Sequence, residues 1–154
     1  MASGDFFVVD PRGLQAVATP YQTKAGQTAI KPGEWVVQDT GGDVEYVVGA
    51  ADGAANTSVW VGVAATSDTV TASSDGVVYV FDNPDYLFRG KPTTSGNLAT
   101  TIINTQVTLD VDGSGNQTVD ENDTTNGTLI VRGYNATLGT IDVQMAKADH
   151  ISQG

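Results

Sequence analysis

The sequence predicts an all-β protein, an antiparallel β-sandwich or barrel of short strands with an extended N-terminal arm. Three observations lead there. No segment of ten or more residues carries an apolar stripe at the helical period. Turn chemistry from Gly, Pro, Asn and Asp recurs about every 8 to 12 residues. Between the turns lie short β-branched and aromatic runs, several alternating apolar with polar.

Taken in order, residues 1–26 carry one short apolar run, Phe6 to Val9, and then Pro11, Gly13, Pro20 and Gly26, spaced too closely for a long element. They read as an arm, with an edge strand folded onto the domain's own surface as the alternative. The β domain follows over residues 27–154. Trp35 to Val37 forms a strand after the Pro32–Gly33 turn, Val44 to Ala50 the next, and Val59 to Ala65 another, so a meander is expected. In Val59–Ala64 strict alternation puts Val59, Val61 and Val63 on one face and Trp60, Gly62 and Ala64 on the other. Gly62 is expected to admit a close neighbour.

The stretch Gly76–Pro92, GVVYVFDNPDYLFRGKP, holds four of the eleven aromatic residues in two apolar runs about a Pro-containing elbow. It is read as the anchor of the core or of a subunit contact. Beyond it Leu98–Ile103 reads as a strand because Thr and Ile are β-branched. Thr105–Val111, Thr128–Tyr134 and Thr140–Met145 alternate and read as strands, with room for a second lobe from about residue 93 to 145. The last nine residues read as a polar tail.

With 154 residues the chain suits one domain that buries about 70% of its unfolded surface. Cysteine is absent, which excludes thiol catalysis and thiolate metal sites. The net charge of −11 has the wrong sign for a phosphate backbone, so no nucleic-acid partner is expected. Residues 1–13 have neither the basic start nor the apolar length of a signal peptide or membrane span, and no membrane partner is expected.

Chemistry-bearing motifs are few. DVDGSGNQTVDE fits the spacing of a calcium loop, with Asp110, Asp112, Ser114, Asn116 and Glu121 in ligand places and Gly115 at the sharp turn. It joins strand patterns rather than helices, and an acidic hairpin loop of Asx turns is the favoured reading, with no cofactor. His150, the one histidine, sits in the tail. There is no nucleophile elbow, phosphate loop or metalloprotease motif, so no enzyme is expected. Trp35 and Trp60 sit in strongly apolar strands and read as core, with a sugar-stacking platform as the alternative.

The block Ile30–Phe88 resembles the capsid decoration, or cement, proteins of tailed phages, of the lambda-type group. The likeness lies in the order of parts. A strand near a Pro ends in a polar turn (Glu34–Asp39), followed by a D-G-A turn (Asp52–Ala54) and a V-G-V-A strand (Val61–Ala64). A Thr- and Ser-rich turn then leads to a strand opened by Gly (Gly76–Phe81). The chain departs from the short members of that group by continuing well past Phe88. The resemblance implies a non-catalytic protein on the outer surface of the virion, assembled in the host cytoplasm. It also implies a homo-oligomer, a trimer above all, with the major capsid protein as partner. The expected capsid-binding arm is Asp5, Phe6, Phe7, Val8, Val9 and Pro11, and the expected subunit interface is Tyr86, Leu87 and Phe88. The competing expectation is a glycan-binding surface or tail-associated module, calcium-dependent through the acidic loop.

Overall fold

A computed structural model describes residues 5–10, 15–39, 41–47, 59–68, 75–125, 127–147 and 150. Pro11 and the Asp52–Ala54 turn lie outside these residues. The described chain is all-β, with eleven strands: β1 (Phe7–Asp10), β2 (Thr19–Thr23), β3 (Trp35–Gln38), β4 (Val44–Tyr46), β5 (Val59–Ala64), β6 (Gly76–Phe81), β7 (Leu87–Gly90), β8 (Gln106–Val111), β9 (Gln117–Asp120), β10 (Leu129–Asn135) and β11 (Thr140–Met145). They form two sheets. One is a closed barrel in the order β2-β4-β3-β5-β6, and the other a six-stranded sheet in the order β1-β7-β11-β10-β8-β9.

The barrel departs from the expected meander. β5 pairs with β3 rather than with β4, and the parallel contact Thr23↔Val44 closes the ring. The link between Tyr46 and Val59 is long enough to carry the chain past β4, so adjacency in sequence does not force adjacency in the sheet. Inside lie Ile30, Val36, Val44, Tyr46, Val61, Ala64, Val78 and Val80.

Between the barrel and the six-stranded sheet lies a second and larger core. It takes Trp35, Val37, Trp60 and Val63 from barrel strands, and Phe88, Val107, Leu109, Leu129, Val131, Ile141, Val143 and Met145 from the sheet. The ring of Trp35 meets Phe6, Trp60 and Phe88 edge to face at centroid distances of 5.6, 5.3 and 5.0 Å. Such pairs add about 0.5–1.5 kcal/mol each beyond the area they bury.

Strict alternation fails in β5. Val36 faces Gly62 and Val37 faces Trp60, so Val61 is an extra residue. This bulge resets the phase: Trp60 and Val63 point to the large core, and Val61 and Ala64 into the barrel. Val59, expected to share the Val61 face, is exposed. Gly62 has a φ of 157°, and a Cβ there would stand 2.0 Å from the Phe81 carbonyl oxygen. The close approach expected of Gly62 is therefore made by backbone.

Leu98–Ile103 is not a strand. Two 3-10 turns, Ser95–Asn97 and Thr100–Ile102, lead through Asn104 in the left-handed region (φ 65°) into β8. Leu98 is buried in the large core with Ile102 and Ile103 against it, and this packing overrides the extended preference of Thr and Ile. The final segment is likewise more than a polar tail. Ala146 is buried, and His150 is 4% exposed and bridged to Trp60.

Candidate functional site

The six-stranded sheet has two margins, and they differ. At β9 the chain following β7 covers the margin: Val119 N–H donates to Lys91 O at 2.9 Å and Thr93 N–H to Val119 O at 2.8 Å. At the other margin lies β1. It pairs antiparallel with β7 (Phe7↔Arg89, Val8↔Phe88, Asp10↔Leu87), slips register after Val8, and on its outer side pairs with no other strand among the described residues. An uncovered strand margin is a template for an added strand.

β1 is held in place from one end. Phe6 is buried, its N–H donates to Gly33 O at 2.8 Å, and its ring packs on Trp35. Gly90 makes room, since a Cβ there would lie 2.1 Å from the Phe6 ring. Phe7 points the other way and is 44% exposed. Its register partner Arg89 is gripped by Asp142 through a two-point ion pair, Nε to Oδ1 at 2.7 Å and Nη2 to Oδ2 at 2.9 Å. Hydrogen bonding to Asp142 pushes the Arg89 pKa up, so the guanidinium stays charged. Asp5 is exposed, and Val8, Val9 and Asp10 are half-buried. Phe7–Asp10 thus forms an edge strand on the domain itself and Thr19–Thr23 is a barrel strand, so these described parts of the expected arm pair with the domain's own sheets. Phe6 and Val8 find apolar partners on Trp35 and around β7, and burial there outweighs extension into solvent.

The Tyr86–Phe88 segment is enclosed by its own chain. Tyr86 is 3% exposed and its hydroxyl accepts from Val17 N–H at 3.0 Å, while Phe88 is fully buried against Trp35. Only Leu87 of the three remains partly accessible to a second copy. Among the exposed apolar side chains, Val59, Val77 and Tyr79 lie on barrel strands, the last two on β6. Sequence reading missed these two β6 residues because Val77–Phe81 is apolar throughout, and alternation is invisible in such a run.

The acidic loop is a β-hairpin. Asp112 Oδ1 accepts from the N–H groups of Ser114 (2.8 Å) and Asn116 (2.9 Å), and Oδ2 from Asn116 Nδ2 (3.0 Å). The Asn116 side chain, aided by these amides, holds the Asp112 carboxyl below its usual range. Asp110 accepts from the N–H of Val111. Glu121 turns away to Asn97 Nδ2 and Asn122 Nδ2. The carboxylates in the calcium-loop positions therefore do not converge, and no group of three or more possible metal ligands occurs among the described residues. Gln117 has another task. Its buried amide accepts from Trp35 N–H (2.6 Å) and donates to Trp35 O (3.1 Å), supplying a rung of pairing to β3 where β4 has ended.

Trp35 and Trp60 are fully buried and offer no platform to a sugar. The His150 ring lies 3.2 Å from Val61 O, and burial pulls its pKa down. Neighbouring Asp82 accepts from the Tyr21 hydroxyl at 2.7 Å; burial first, then this carboxylate, raises the Tyr21 pKa. No family model, curated protein or solved structure matches the chain.

Proposed function

We propose that the chain is a capsid decoration protein of a tailed phage, binding the outer surface of the mature head and stabilising it against internal genome pressure. The observation that carries this reading is the β1 margin, which pairs with no further strand among the described residues, is anchored by Phe6 and presents Phe7 beside a fixed Arg89–Asp142 pair. A strand of the major capsid protein added there gains main-chain hydrogen bonds, with Phe7 supplying an apolar contact. The sequence pattern of Ile30–Phe88 supports the same reading. The proposal assigns no catalytic role, cofactor, nucleic acid or membrane to the chain.

The mechanism is linkage. A ligand that binds only the expanded lattice stabilises that lattice by its differential affinity, and many symmetric copies multiply the effect. The subunit contact in a trimer falls to the exposed pair Val77 and Tyr79 on β6, with Leu87 left in a minor role. The six-stranded sheet would extend the footprint on the shell beyond what the barrel alone would cover.

Co-sedimentation with expanded and unexpanded heads tests the reading. Binding to expanded heads alone, abolished by Phe7→Glu and retained by Leu138→Ser on the exposed β10–β11 turn, is the expected outcome. Equal binding by the Phe7 variant would remove β1 from the contact, and absence of binding to either head would end the proposal.

A further inference from the structure

On the six-stranded sheet, away from β1, a shallow open depression lies over the paired strands β8 and β10, lined by Asn104, Thr105, Gln106, Thr124, Ile130 and Arg132. Asn104, Gln106, Thr124 and Arg132 are exposed there and Thr105 and Ile130 half-buried, so a ligand would be held at the surface by directed polar contacts rather than by enclosure.

Arg132 sets the chemistry. Lys24, Arg89 and Lys147 are each neutralised by carboxylates, Asp39 with Glu45, Asp142, and Asp85. Arg132 is held by two neutral amide oxygens instead: Nε donates to Gln144 Oε1 at 2.9 Å and Nη1 to Asn104 Oδ1 at 2.7 Å. Both oxygens are themselves fixed. Gln144 donates from Nε2 to Pro84 O at 3.0 Å, which orients its amide, and Asn104 is locked in the left-handed region with its N–H donating to Val131 O at 2.8 Å. Asn adopts the left-handed region readily, so its amide is presented to Arg132 from a settled turn.

The guanidinium is therefore oriented with its charge unspent. A guanidinium has five N–H donors, and two are used here. Those left are one on Nη1 and both on Nη2, the outer end that grips a carboxylate at two points. Around it stand neutral groups suited to hydroxyls. The Gln106 amide and Thr124 hydroxyl have no hydrogen-bond partner among the described residues, and half-buried Ile130 offers an apolar patch. A single fixed cation in a chain of net charge −11 does not suit a polyanion. It suits a small molecule with one carboxylate and several hydroxyls.

We propose that the Asn104–Arg132 depression binds a carboxylate-bearing sugar, a uronic or sialic acid unit, with Arg132 taking the carboxylate and Gln106 and Thr124 the ring hydroxyls. The assignment stands apart from the capsid reading and survives or fails without it.

Amide and Arg side-chain NMR of the full chain, titrated with glucuronate, N-acetylneuraminate, glucose and acetate, tests the site. Shifts at Asn104, Gln106 and the Arg132 Nε–H with at least one acidic sugar at millimolar levels are expected. Arg132→Gln should weaken that sugar by about tenfold or more, the usual cost of losing a charge-assisted pair. Thr124→Val, an exposed change that leaves the thermal midpoint unmoved, should weaken it about threefold through one lost hydrogen bond. Acetate binding as tightly as the sugars would overturn the sugar assignment. Glucose binding as tightly would overturn the role of Arg132, and no shift with any probe at tens of millimolar would overturn the site.

Discussion

The barrel interior and the core between the sheets are built from different residues. Inside the barrel the side chains are mostly Val, with Ile30, Ala64 and Tyr46, while the large core contains both Trp residues with Phe6, Tyr86 and Phe88. A five-stranded barrel leaves a narrow interior that β-branched side chains largely fill, and both Trp rings are turned outward. Turned outward, they become the surface on which the second sheet packs. The two regions are thus joined by the barrel's own strands β3 and β5, each buried on both faces. A barrel and a sheet that merely touched would unfold separately, and this joint predicts that they do not.

Trp35→Ala gives the sharpest test of that joint. It removes the ring at the centre of three aromatic contacts and should cost about 3–5 kcal/mol. Wild type and variant should each unfold in one denaturant transition, with Trp fluorescence and far-ultraviolet dichroism coincident. Two separated transitions would show that barrel and sheet are independent.

Gly62→Ala attacks the bulge that lets β5 serve both cores. The added methyl meets the Phe81 carbonyl at a residue with no room to shift, and a loss of about 3 kcal/mol is expected in thermal unfolding. An unchanged midpoint would mean that the bulge relaxes freely. Gln117→Leu acts from the other side. It leaves the buried Trp35 N–H and C=O without partners, for a loss of about 2 kcal/mol. Hydrogen exchange at Trp35 should rise with it, and an unaltered exchange rate would contradict the rung.

The smallest expected effects are pH-dependent. Tyr46, on the barrel, donates to Gly115 O on the β8–β9 hairpin at 2.5 Å. Burial first, then the charges of Glu34 and Asp112, push its pKa up to about 12. Its contribution is complete below the unfolded value of 10.0 and is lost as pH rises through about 12, so Tyr46→Phe should flatten the alkaline limb of stability. His150 runs the opposite way. Its folded pKa lies below 6.5, so its contribution is complete above that value and is lost as pH falls through the folded pKa. His150→Gln should flatten the slope of stability below pH 6.5 relative to wild type. A variant that follows the wild-type slope would show that His150 does not resist protonation in the fold.

Much of the strand content was legible from local pattern. Val107 and Leu109 are buried, as are Ile141, Val143 and Met145, as alternation implies, but Thr108 and Gln144 on the expected polar faces are buried as well. Short-range turn chemistry also located the acidic hairpin, whose Asp112 is engaged by the loop's own amides. The strand β9 was hidden inside that motif, because Gln117 and Thr118 look like loop residues until Trp35 is brought against them. The β1 margin was half legible. Phe6–Val9 is plainly a strand, but its burial on one side depends on Trp35, Gly33 and Gly90, far along the chain. The Arg132 depression had no signature at all, since Asn104, Thr124 and Arg132 are unremarkable apart and meet only through the β8–β10 pairing.

By itself, then, the sequence determined the all-β class, most strand positions, the acidic surface and the need for glycine at position 62. These follow from alternation, turn preference and charge, which act over a few residues. Only the tertiary structure decided that β5 lies beside β3, that β9 and not β1 gains a further backbone partner among the described residues, and which of the Val77–Phe81 side chains face solvent. Those outcomes depend on which distant strands pair, and in a run apolar on both faces nothing local says which side the core will take.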